Sequence, residues 1–101
     1  MFPPDHATEF TRDTGGTEAE WLGRLPGACA SHPCICPAPG RAVVQIGAGQ
    51  LQLDWAMLPP RQIALIRLPR LLVHYRFDGV DATVRREFMR YFDLYMQRGG
   101  G

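Results

Sequence analysis

Residues 50–57 read Gln50-Leu51-Gln52-Leu53-Asp54-Trp55-Ala56-Met57. Leu51, Leu53, Trp55 and Met57 fall on one side of an extended chain, and Gln50, Gln52, Asp54 and Ala56 on the other. A period of two marks an antiparallel strand with one face in a core and one in water. Upstream, Arg41 to Ile46 is β-rich through Val43, Val44 and Ile46, and Gly47-Ala48-Gly49 supplies a tight turn. The two segments predict a β-hairpin, and the rest of the fold is read outward from it.

Downstream, Leu58-Pro59-Pro60-Arg61 predicts the end of the hairpin. Ile63 to Leu68 is a further strand segment. Arg70 to Phe77 puts Leu71, Val73, Tyr75 and Phe77 on one face and Leu72, His74 and Arg76 on the other. Pro69, between them, donates no hydrogen bond to a ladder. It marks either a bend in one strand or a turn between two. Proline fits the type I′ and II′ hairpin turns poorly, which favours the bent strand.

Helices flank the strands. Thr17 with Glu20 has capping-box spacing, and Trp21, Leu22 and Leu25 form an apolar edge that Pro26-Gly27 ends. After the Asp78-Gly79 turn, Asp81 can cap a helix over 82–98. Its expected stripe is Val84, Phe88, Tyr91, Phe92 and Tyr95, widened by Met89 and Met96, with Arg85, Arg86, Glu87, Arg90 and Asp93 off its centre. Gly99 is the expected C′ residue. The fold class that follows is α+β: a small antiparallel sheet, the hairpin plus one or two strands, packed against a C-terminal helix with a short N-terminal helix. Residues 17–98 make one domain, with a Pro- and Cys-rich loop at 26–40. Residues 1–16 are expected as a flexible tail and 99–101 as a glycine tail.

A chain of 101 residues has room for one core. Its 46% hydrophobic and 21% charged residues suit a soluble folded protein rather than a disordered one. Eleven basic against ten acidic residues are too nearly balanced to nominate nucleic acid as a partner. Every basic residue is Arg; Lys is absent, which excludes Schiff-base chemistry and a P-loop lysine. Asn is absent too, and such codon usage suggests a GC-rich, bacterial genome. The one serine, Ser31, sits among prolines and makes a poor nucleophile. No apolar run is long enough to span a membrane, and Met1 to His6 lacks the basic start and apolar run of an export signal. Three cysteines without an export signal read as reduced thiols in the cytoplasm.

Two clusters are candidate sites. Cys29, His32, Cys34 and Cys36 are soft ligands within eight residues, the donor types that zinc or an iron–sulfur cluster takes. Structural zinc sites, however, pair two knuckles from separate stretches, whereas these four share one short segment; His6 or His74 could complete a site from elsewhere. Without a metal the four are simply loop residues and no cofactor is required.

The second cluster is Arg67, Arg70, Leu72, His74 and Arg76. Residues 1–40 carry two Arg against five acids, and residues 41–101 nine Arg against five acids. An Arg-rich sheet face can hold an anion or nucleotide, or the acidic N-terminal segment of the same chain. Without lysine, Arg is also the only solvating cation. Leu72, Ile66 and Leu68 among these arginines have the composition of a protein interface, unless the N-terminal helix covers them. No catalytic set converges: His74 has Asp54 as its one strand acid. A sheet followed by a helix resembles PilZ domains only in outline. The sole Arg-x3-Arg, Arg86 to Arg90, lies within the helix, and no strand carries a serine.

The expected function is therefore a small non-enzymatic accessory, adaptor or assembly subunit that binds another protein. A metal or redox carrier, or an anion-binding module, is the alternative.

Overall fold

The computed structural model describes residues 8–100. In chain order the elements are β1 (Glu9–Gly15), α1 (Glu18–Ala28), β2 (Cys34–Ala38), β3 (Arg41–Ile46), β4 (Gly49–Ile63), β5 (Ile66–Asp78) and α2 (Ala82–Gly100). The strands form one antiparallel sheet in the order β1-β5-β4-β3-β2. β2 to β5 are a meander, while β1 crosses over to close the far edge beside β5. The class is α+β, in a single domain. Among the described residues, no helix is long and apolar enough to cross a membrane.

The alternation in the sequence becomes the sheet's inner face. Ala42, Val44, Ile46, Leu51, Leu53, Trp55, Leu71, Val73, Tyr75 and Phe77 are all buried. Both helices cover this same face. Trp21 of α1 meets Trp55 and Phe92 edge-on at ring separations of 5.6 and 6.0 Å. Phe92 of α2 meets Tyr75, and Phe88 meets Phe77. The helices approach closely because Gly27 lacks a side chain: the Tyr95 ring fills the space its Cβ would need. α1 therefore leaves the opposite face bare.

The capping box forms as the spacing predicts. Glu20 N–H donates to Thr17 Oγ1 at 3.1 Å, and Thr17 N–H donates to Glu20 Oε1 at 2.9 Å. These bonds, with Arg24 nearby, hold the Glu20 carboxyl below its usual range. The Trp55 indole N–H donates to Glu18 at 2.8 Å and ties the start of α1 to β4.

Several expectations are corrected. Residues 9–15 of the expected tail are β1, because Phe10 stacks on Tyr75 and the backbone pairs with β5 from Glu9↔Arg76 to Gly15↔Arg70. Residues 1–7 of that tail lie outside the described residues, as does Gly101. The 26–40 loop contains β2, which pairs Cys34↔Val44 and Ile35↔Val43. α1 passes through Pro26 to Ala28, its last turn closed by Cys29 N–H on Leu25 O at 3.1 Å. α2 continues through Gly99, since glycine weakens a helix without forbidding it.

On α2 the buried stripe is rotated from the expected one. Arg85, Phe88, Met89 and Phe92 are buried, whereas Val84, Tyr91 and Tyr95 are exposed. Arg85 reaches the core boundary because its guanidinium donates to the Val80 carbonyl.

The largest departure is at the prolines. Pro59-Pro60 does not end β4, which runs on to Ile63. The strand turns at Ala64-Leu65 and returns as β5 straight through Pro69. The register shifts between Leu58↔Arg70 and Arg61↔Leu68, so two prolines oppose one in a β-bulge. β3 stops pairing at Asp54, so Pro59 and Pro60 sit where the outer edge is open and a missing N–H costs little; Pro69 stands at the end of the β1 pairing, where its carbonyl accepts from Gly16 N–H at 2.8 Å.

Candidate functional site

Beyond Trp55 on β4 and Leu71 on β5, the two strands leave the sheet as a projecting arm, consistent with a molecule measuring 47 × 29 × 22 Å. Cross-strand pairing settles which residues share its faces. Ala56↔Leu72, Leu58↔Arg70, Arg61↔Leu68 and Ile63↔Ile66 lie on the outer face, continuous with the bare face of the sheet. Met57 and the Gln62↔Arg67 pair lie on the other. Met57, which shares a strand face with Leu51, Leu53 and Trp55, is nevertheless 76% exposed because the arm has already passed beyond both helices.

Four of the five predicted site residues, Arg70, Leu72, His74 and Arg76, thus share the outer face; Arg67 does not. Several are engaged within the chain. Arg70 donates to Pro59 O at 2.9 Å, across the bulge, and to Asp13 Oδ2 at 2.6 Å. His74 Nε2 lies 2.7 Å from Glu9 Oε2. Arg76 donates to Gln52 at 3.1 Å. Arg41 and Gln52 both donate to Asp54. Partial burial pushes the Asp54 carboxyl up, but the hydrogen bonds from Gln52 and Arg41 and the nearby charges of Arg41 and His74 outweigh it, leaving it below its usual range. The acidic N-terminal segment does pair with the Arg face, as β1.

Arg61 and Arg67 make no ion pair with any described residue. Asp13, Gly15, Arg61, Leu68, Pro69 and Arg70 enclose a hollow of about 300 Å³ at the base of the arm. Leu68, which lines it, and Leu72, further along the same face, stay exposed, Leu72 by 42%. From Trp55 to Phe77 the sequence has no acidic residue and four arginines. Arg61 reads from the sequence as one of the arginines beside the second strand region, but neither its place in the site nor the hollow does, because the double proline suggests that β4 has already ended. The absence of acids over that stretch was the available signal.

The cysteine segment is divided between two elements whose thiols stay near one another. Cys29 is buried at the end of α1, Cys34 is half-buried on β2, and Cys36 is exposed; all three are free thiols. His32 packs edge-on against Phe88 at 5.4 Å. Burial, with Cys34 and Cys36 close by, pushes the Cys29 thiol up to about 12, and burial raises Cys34 too. Neither is an activated nucleophile. Among the described residues, no three His, Cys, Asp or Glu side chains stand close enough to share a metal ion; His6 lies outside them. Cys29, His32, Val84, Glu87 and Tyr91 border a second hollow of about 210 Å³ between α1 and α2. Compared with known protein families and with curated proteins, the chain matches none.

Proposed function

We propose that the protein is a non-enzymatic accessory or assembly subunit that binds another protein through the outer face of the β4–β5 arm, in the cytoplasm. The observation that carries this reading is the exposed Leu68, which lines a hollow walled by Arg61, Arg70 and Asp13, with the exposed Leu72 on the same outer face, a face that neither helix covers. Apolar groups with arginine and few acids are the composition of interface centres. The prolines add a constraint. Pro59 and Pro60 interrupt the donors along the open edge of β4, and Pro69 removes one from β5 where β1 ends, which disfavours strand addition and directs a partner to the face. The free thiols suit a reducing compartment.

The test is capture of a stoichiometric partner by the full chain, compared with capture by Leu68→Asp and Leu72→Asp. Both positions are exposed, so both variants stay folded by circular dichroism. Loss of the partner with each variant supports the face. Undiminished capture by both removes it.

A further inference from the structure

We infer that the tip of the β4–β5 arm inserts into the interface of an anionic lipid bilayer. The inference goes beyond the protein-binding face and shares only Arg61 with it; Ile63, Leu65, Ile66 and Arg67 are its own. The arm ends in four consecutive apolar residues, Ile63-Ala64-Leu65-Ile66, around a two-residue turn. Leu65 is 97% exposed, Ile66 60% and Ile63 53%. Single exposed aliphatics are ordinary, but a cluster occupying a whole projecting tip is not. Ile63 and Ile66 face one way, Leu65 stands at the end, and the adjoining Gln62↔Arg67 pair faces the other way. An apolar end with a cation behind it on each face, Arg61 on one and Arg67 on the other, matches a surface of anionic headgroups over an apolar interior.

Charge and dimensions support the same occupant. Arg67 lies two residues behind Leu65, and Arg61 is level with Leu68, three residues behind it. At roughly 3.3 Å per residue, both guanidinium-bearing positions stand about 7–10 Å from the tip. That matches the roughly 5–10 Å over which interfacial segments bury their apolar part, and it places Arg61 and Arg67 among the headgroups. Neither arginine has an ion-pair partner among the described residues, and no acid occurs between Asp54 and Asp78 to repel an anionic surface. A second copy of the chain fits less well, since like-charged arms would meet without an acid between them.

The experiment is co-sedimentation of the full chain with phosphatidylcholine vesicles, with and without phosphatidylglycerol. The expected result is partitioning at least about tenfold stronger onto the anionic vesicles, reduced about tenfold by Leu65→Glu and similarly by Arg61→Gln with Arg67→Gln. Leu65 is almost fully solvated, so Leu65→Glu leaves the fold intact. A Leu65→Trp variant supplies a second readout, an emission shift to the blue on adding anionic vesicles. No sedimentation, equal partition onto neutral vesicles, or Leu65→Glu binding like the parent overturns the inference. So does an unshifted Leu65→Trp spectrum. Loss of a protein partner with Leu65→Glu, without vesicle binding by the parent, assigns the tip to that protein instead.

Discussion

Arg12 Nη1 lies 2.6 Å from Asp93 Oδ1, joining the edge strand β1 to helix α2 across 81 positions of sequence. The same guanidinium lies over the rings of Phe10 and Tyr75, at 5.0 and 5.4 Å. This contact helps to make β1 part of the sheet rather than a tail. A part-exposed ion pair contributes roughly 0.2–1 kcal/mol and a cation–π contact about as much. Arg12→Ala should therefore cost about 1–2 kcal/mol in urea unfolding, and Asp93→Ala less. An unchanged Arg12→Ala midpoint would show that β1 is held by its backbone pairing and Phe10 alone.

Gly49 opens β4 with its Cα against the backbone of the Asp78-Gly79 turn. A Cβ there would collide with the carbonyl oxygens of both residues, which are backbone atoms and cannot swing aside. Gly49→Ala should destabilise by about 1–3 kcal/mol, the range for forcing atoms into a packed site. Gly23→Ala is the comparison: a Cβ at Gly23 meets nothing, and alanine favours a helix, so it should be neutral or stabilising. Thermal unfolding of the two variants distinguishes a steric cost from a general loss of backbone freedom.

The parts legible in the sequence were those where periodicity and local chemistry agree. Leu51, Leu53 and Trp55 alternate, and their strand has its predicted inner face; Thr17 and Glu20 form their capping box. The parts not legible depended on neighbours distant in sequence. Nothing local marks 9–15 as a strand, because Phe10 acquires its partner Tyr75 from β5. The arm was hidden twice over. Pro59-Pro60 reads as a break unless the strand's edge is known to be open. Its turn, Ala64-Leu65, lacks the glycine or asparagine that announces a hairpin, although Ala64 has the positive φ of 55° that glycine usually supplies. Of the candidate site, Arg70, Leu72, His74 and Arg76 could be placed on one face by counting in twos. The charge asymmetry also offered the acidic N-terminal segment as their partner, but the individual partners Asp13, Glu9 and Gln52 depend on the register of β1 and β4 and could not be read.

The rotated stripe of α2 can be measured. Phe88 is buried against Phe77, Phe92 and His32, so Phe88→Ala should cost about 3–5 kcal/mol. Val84 belongs to the stripe by spacing alone and is exposed in the structure. Val84→Ala, like Thr83→Ala and Arg86→Ala, should therefore change stability by no more than about 0.5 kcal/mol. Denaturant midpoints for the set give the orientation of the helix. A Val84→Ala cost comparable to that of Phe88→Ala would return the stripe to its expected centre.

The thiols make the last prediction. Cys36 is exposed, Cys34 half-buried and Cys29 buried. A thiol reagent should label Cys36 quickly, Cys34 slowly and Cys29 only after unfolding. Cys29 also links stability to alkaline pH. Its folded pKa is raised from 9.0 to about 12, so above pH 9 the unfolded chain releases a proton that the folded chain retains. Its contribution is complete below about 9 and lost progressively between 9 and 12. Tyr75, also raised by burial, adds to the loss at the upper end. Unfolding free energies measured across pH 8–11 should fall for the parent and fall less steeply for Cys29→Ala, whose loss of a buried thiol lowers the whole curve. Parallel slopes for the two proteins would mean that Cys29 ionises as readily in the folded state as in the unfolded one.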